Sequence, residues 1–286
     1  METVSREDLA VRTILAVVAL IVGLLVGAGG LFIGFVLAVL VGAGLVGLAG
    51  VEITPAATIV LSLVFVQGVG CAGVALTYYK LRHFIATPVR EEFDLTEVVP
   101  QFEIPAAVPD LRDVAVIVGG YVVALAGAMG GSIIIQAVQT ATGTELDTGT
   151  NAAAEIGMEN PEVLLLLIPA SILLIGPGEE LLFRGVVQGR IREVFGPISG
   201  VLIPSVIFAG LHWFALSGGS PQGNLVALGI LVVPALVFGA AYEYSENIVV
   251  PSLIHGLYNA TLFSLLYVVV AFSDQLPEQA LLAIGA

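Results

Sequence analysis

Charge is scarce in this chain. Only 11% of its 286 residues are Asp, Glu, Lys or Arg, against roughly 25% in an ordinary soluble domain. Hydrophobic residues make up 58%, so a soluble helical bundle would have almost no polar surface to present to water. Short segments of alternating polarity, the mark of a membrane β-barrel, are absent. Cysteine occurs once, at Cys71, which excludes an internal disulfide. Because Cys71 lies in an apolar run, it reads as a small packed side chain. Basic residues are also few: nine Lys and Arg, of which Lys80 is the one lysine, face 23 Asp and Glu. That balance excludes nucleic acid as a partner, since phosphates require a basic face. An acidic, lysine-poor composition suits high salt, where net charge maintains solubility, and points to a salt-loving archaeal source.

What the chain does have is apolar runs of about 20 residues, the length of a helix crossing a bilayer. The N-terminal run follows Arg6 and Arg12 as a signal peptide would. No cleavage site follows and hydrophobicity continues to residue 50, so these are retained helices. The Gly27–Gly30 stretch is expected to break the run into spans at 12–28 and 31–49. Further spans fall at 56–79, 113–139, 162–190, 198–215, 225–243 and 248–272. The expected fold class is therefore all-α: a polytopic transmembrane helix bundle of about eight spans, multi-pass in the cell membrane, with the lipid bilayer as an obligate partner.

Between the third and fourth spans, residues 80–112 hold Pro88, Pro100, Pro105 and Pro109, which indicates a juxtamembrane linker. Residues 140–161 form an acidic loop without Lys or Arg. The chain divides into a three-span region (1–80), a Pro-rich linker (81–112) and a five-span bundle (113–286). No internal repeat is visible. Lys80, Arg82, Arg90 and Arg112 place the linker in the cytoplasm. Counting onward puts Arg190 and Arg192 inside, and the 140–161 loop and the C-terminus outside. Counting back through three spans puts Arg6 and Arg12 outside, against the same rule.

Two patterns carry no function. Gly68-Val69-Gly70-Cys71-Ala72-Gly73 spells a dinucleotide fingerprint but sits inside an apolar span with no strand before it. Close helix packing explains it, as it does Gly23/Gly27 and Gly30/Gly34. The sequon Asn259-Ala260-Thr261 also lies within a span.

Ionisable residues inside a span are costly, about 2.5–3.5 kcal/mol each at the bilayer centre, and mark function by default. They are Glu179, Glu180 and Arg184 in the fifth span, His212 in the sixth, Glu243 at the end of the seventh, and His255, with the amide of Asn259, in the eighth. His83, beside Lys80 and Arg82, reads as a solvated loop residue. Glu180 and Arg184 stand one turn apart and can neutralise each other. Glu179 is rotated by about 100° from Glu180 and is left without that partner. A carboxylate with no counter-charge in low dielectric suits a general base. Pro177 and Gly178 are expected to restart the helix, placing both glutamates in a first turn where the dipole tolerates anions. His255 and Asn259 project together, as do Phe208 and His212. At 1.5 Å per residue, Glu179, His212 and His255 lie roughly 12–21 Å from the cytoplasmic helix ends and can share one layer.

A polar clamp between helices would explain one Glu–Arg pair. It does not explain a second glutamate, two histidines and an amide at one level, which catalysis does. A non-enzymatic reading, with the polar layer as an ion or solute path, would call for inverted repeats with broken helices in both halves.

The three clusters spell EExxxR (Glu179–Arg184), FxxxH (Phe208–His212) and HxxxN (His255–Asn259). In that order, on separate helices, they resemble the motifs of the CPBP family, which includes type II CAAX prenyl endopeptidases and Abi-like bacteriocin-processing or immunity proteins. The resemblance covers roughly 160–270. It implies an intramembrane endopeptidase acting on a membrane-anchored peptide or protein, or else a toxin-immunity factor. Under this resemblance Glu179 activates water with help from His255, His212 and Asn259 stabilise the oxyanion, and Glu180 with Arg184 orients Glu179. The family is often labelled metalloprotease, and Glu179, His212 and His255 would be the ligands of a zinc ion. No HExxH is present, and a glutamate–histidine scheme needs no metal, so no cofactor is expected.

Overall fold

The computed structural model describes residues 6–92 and 102–275. Among them, seven helical segments are long and apolar enough to cross a bilayer. They are α1 (Arg6–Ala49); α2 (55–92); α3 (Leu111–Thr142); α5 (Pro161–Arg192); α6 (Pro197–Leu211, extended by a 3-10 turn His212–Ala215); α7 (Pro221–Ser245); and α8 (Val249–Phe272). A short helix, α4 (Ala152–Glu159), precedes α5. The protein is a multi-pass membrane protein with the expected all-α architecture.

The N-terminal run differs from expectation. Gly27–Gly30 does not break it, and α1 is continuous from Arg6 to Ala49. Glycine weakens a helix in water partly by exposing backbone to solvent; in an apolar setting nothing competes for the backbone hydrogen bonds. The glycines serve close packing instead. A Cβ on Gly30 would lie 2.6 Å from the carbonyl oxygen of Gly70, and one on Gly34 would lie 2.4 Å from that of Phe65. Gly70 of the fingerprint-like run and the Gly30/Gly34 pair of α1 thus form one seam.

Gly50 ends α1 in the left-handed region (φ 64°), and Thr54 caps α2, its side chain accepting from Ala57 N. The tight turn folds α2 back along α1. One span in place of two brings the helix end bearing Arg6 and Arg12 to the side of Lys80 and Arg82, which removes the conflict in the count of positive loops.

Helix α2 extends to Glu92 and contains a π-helical stretch, Ser62–Gly73. His83 therefore stands on a helix, its ring 4.6 Å from that of Tyr79 and its Nε2 buried, and is not a solvated loop residue. Pro88 lies within the same helix; Pro100 falls outside the described residues. Beyond residue 101 the segment docks on the bundle. Phe102 is buried, Pro105 O accepts from Ile248 N, and Asn247 bonds both the N–H and the carbonyl of Ala107. The loop after α3 pairs Thr150–Asn151 with Leu216–Ser217 as a two-residue antiparallel ribbon, and Asn224 tethers Gly149 to Gly218.

Helix α5 is the hub. It has the largest buried share of the seven spans. Leu182, Phe183, Val186, Val187 and Ile191 form one cluster with Phe208 of α6 and Cys71 of α2. At its other end Val163, Leu164 and Leu167 pack on Ile59 and Leu63 of α2. Cys71 is fully buried, as its apolar context implies. At the end opposite Pro161, Arg192 pairs with Glu243 (Nε–Oε2 2.8 Å), and Arg82 and Arg190 both pair with Glu193. Burial pushes the Glu193 carboxyl above its ordinary range, against the pull of Arg190 and Arg82.

Candidate active site

The segment carrying the glutamates, Gly176–Glu180, is flanked by π-helical stretches, Ser171–Ile175 and Leu181–Gln188. The helix does not restart at Pro177 as expected. A proline inside an α-helix clashes with the carbonyl four residues earlier, and the wider π turn before it accommodates the ring while the chain stays helical. Glu179 and Glu180 therefore sit mid-helix, without free first-turn N–H groups. Such π segments often occur at functional positions.

Two glycines bring neighbouring helices against these glutamates. A Cβ on Gly176 would lie 2.6 Å from Ser252 O and 2.8 Å from Gly256 N of α8, and one on Gly178 would lie 2.8 Å from Gln67 O of α2. Backbones approach this closely only where both sides are small. Helix α5 is thus held between α8, which bears His255, and α2, which bears Gln67.

Glu180 and Arg184 pair as their spacing predicts, Nε to Oε2 at 2.9 Å, with both side chains fully buried. Arg184 also reaches Ser205 Oγ at 3.4 Å and lies over the ring of Phe208. The other oxygen of Glu180 accepts from His255 Nδ1 at 2.8 Å. His255 and Asn259 project together, Asn259 Nδ2 lying 3.1 Å from His255 Nε2. The His255 ring stacks on Phe238 at 4.7 Å and meets the edge of Phe208. On α6 the His212 ring lies 4.4 Å from Phe208, and its Nδ1 donates to Phe208 O at 2.8 Å. This leaves Nε2 of His212 as the free nitrogen.

Glu179 is 7% exposed and holds two different oxygens. Oε1 accepts from Gln67 Nε2 at 2.8 Å. Oε2 has no hydrogen-bond partner and lies 3.9 Å from Nε2 of His212 and 3.9 Å from Nε2 of His255. Both gaps are too long for a direct bond and right for one bridging water. All six residues expected at the site come together on α5, α6 and α8. Glu243 stays apart, at the ion pair with Arg192.

Residues 161–261 match the family model of Rce1-like type II CAAX prenyl endopeptidases. Over this segment, about a third of its length, the chain is similar to Rce1-like endopeptidases. The matched segment contains all three motifs and supports an intramembrane protease function of the CAAX type. No curated protein and no solved structure shows a significant match.

Two contacts escaped sequence reasoning. Gln67 is polar in an apolar span but uncharged, so a search for ionisable residues passes over it. The Glu180–His255 bond joins residues 75 positions apart and has no local signal at all.

Proposed function

We propose that this Rce1-like chain is an intramembrane endopeptidase that hydrolyses a peptide bond of a membrane-anchored substrate with water activated by Glu179. The observation that carries this reading is Glu179 Oε2, buried, unpartnered and equidistant from two histidine nitrogens. A general base must stand within one water of the proton it takes.

The hydrogen bonds favour a division of labour that exchanges the two histidine roles implied by the family resemblance. His212 donates from Nδ1 to a backbone carbonyl, so Nε2 keeps a free lone pair for the water. His255 Nδ1 is committed to Glu180 and its Nε2 to Asn259. Glu179 and His212 would hold the water; Glu179 removes its proton as the oxygen bonds the carbonyl carbon. The electron pair displaced onto the carbonyl oxygen is met by the second N–H of the Asn259 amide, which is oriented by His255, itself held by the Glu180 carboxylate. Glu179 then returns the proton to the departing amine as the oxyanion's electron pair re-forms the C=O bond and the C–N bond breaks, giving a carboxylic acid and an amine.

A zinc ion on Glu179, His212 and His255 fits this donor set poorly. His255 Nε2 already faces the Asn259 amide, and among the described residues no three His, Cys, Asp or Glu side chains are arranged to hold a metal. The proposed chemistry is metal-free.

The test is cleavage of membrane-anchored peptides, prenylated and not, by purified protein in lipid. Wild type should cut at a defined bond and Glu179→Ala should not. Cleavage that survives Glu179→Ala, or no cleavage of any such peptide, would overturn the reading.

A further inference from the structure

We infer that Gln67, contributed by α2 from outside the segment matched to the family model, is a positioning residue for Glu179; the kinetic part of this inference rests on the function proposed above. Gln67 Nε2 donates to Glu179 Oε1 at 2.8 Å. That single bond decides which oxygen of Glu179 is occupied and which faces His212 and His255.

Three observations argue that the amide serves the carboxylate and not the packing of α2. First, a glutamine acting as an interhelical clamp would satisfy both ends of its amide. Gln67 commits its donor to Glu179 while its Oε1 is buried with no partner, a cost that packing alone does not explain. Second, the backbone is arranged for the approach. Gly178 has no side chain where Gln67 O comes close, and Gly30 and Gly34 clamp the flanking residues Gly70 and Phe65 of α2 onto α1. Third, Gln67 lies in the middle of the π-helical stretch Ser62–Gly73, which turns residues off the regular helical face. The other polar groups around Glu179 are Glu180 on its own helix, the Cys71 thiol on α2, His212 on α6 and His255 on α8. Among these described side chains, Gln67 is the one that donates to Glu179.

The site is then not contained in α5, α6 and α8 alone. Helix α2, and through the glycine seam α1, complete it by holding the base in one rotamer. Freed from Gln67, the carboxylate can turn Oε1 or Oε2 toward the histidines or swing toward α2. Misplacing a reacting group by about 1 Å costs on the order of a hundredfold in rate.

The test uses Gln67→Met, which keeps the length and apolar stem and removes the donor. Its kcat should fall about tenfold to a hundredfold with KM within about twofold, because substrate contacts are untouched. Thermal unfolding should stay near wild type. Infrared difference spectra give a readout that does not depend on turnover. Subtracting the Glu179→Gln spectrum from wild type isolates the Glu179 carboxylate band, and the same subtraction in the Gln67→Met background should show that band shifted by loss of one hydrogen bond. A shifted band with no cleavage by wild type would support the positioning role while refuting the proposed activity. An unshifted band, or unchanged kcat in Gln67→Met, would overturn the inference about Gln67 and leave the proposed activity standing. A fall in kcat accompanied by a large loss of thermal stability and an unshifted band would make Gln67 a packing residue, which also overturns it.

Discussion

Glu180 lies between two partners, its Oε2 2.9 Å from Arg184 Nε and its Oε1 2.8 Å from His255 Nδ1. The second of these bonds makes the pair Glu180–His255 the physical link between α5 and α8 at the level of the site. The family resemblance implies that Glu180 orients its neighbour Glu179; the bond to His255 supports the proposal that it also orients His255. The two adjacent glutamates therefore differ in their partners: both oxygens of Glu180 are paired, and Glu179 is open on one oxygen.

Glu179→Gln should abolish turnover, by about a hundredfold or more if Glu179 is the base. It keeps shape and volume, so thermal unfolding of the purified protein should stay near wild type. The measurement is paired: initial rates and melting curves on one preparation.

Glu180→Gln should instead lose stability, on the order of 3–5 kcal/mol, because Arg184 is left charged in a fully buried position. Replacing Glu180 with Gln and Arg184 with Met together should recover part of that loss. Activity should not return with it, since His255 has still lost its carboxylate. An unstable Glu179→Gln beside a folded, inactive Glu180→Gln would reverse the two roles.

His212→Ala and His255→Ala should both suppress cleavage but differ in folding. The His255 side chain is 4% exposed, bonded to Glu180 and stacked on Phe238, so its removal opens a buried gap costing about 2–5 kcal/mol. The His212 side chain is 25% exposed, and its loss should leave the melting temperature nearly unchanged. Equal melting shifts in the two variants would contradict the burial difference.

Gly256→Ala should weaken the α5–α8 contact by about 1–3 kcal/mol, as its Cβ would lie 2.8 Å from the Cα of Ile172. Gly29→Ala, with nothing within 4 Å, should be neutral or slightly stabilising, because alanine is the better helix former by up to about 1 kcal/mol. Comparing the two melting temperatures separates packing from helix propensity.

Chelation should leave activity intact, and elemental analysis should find no stoichiometric zinc. Loss of activity on chelation, restored by added zinc, would recast Glu179, His212 and His255 as ligands.

The sequence by itself determined what is local. The membrane-crossing helices follow from composition, apart from the count of eight where the structure has seven, because a bilayer rewards any run of about 20 apolar residues that can satisfy its own backbone. The pairs Glu180/Arg184, His255/Asn259 and Phe208/His212 follow from the helical repeat, since residues four apart meet whatever surrounds the helix. The continuity of α1 through Gly27–Gly30 was decided by tertiary structure, because a glycine run reads as a break until a partner helix is seen packed into it. The docking of Phe102 and Ala107, the bond from Glu180 to His255 and the bond from Gln67 to Glu179 were decided in the same way. Each depends on how helices distant in sequence rotate and cross. Those angles are set by which glycines allow two backbones to touch, a property of pairs of helices that neither helix carries alone.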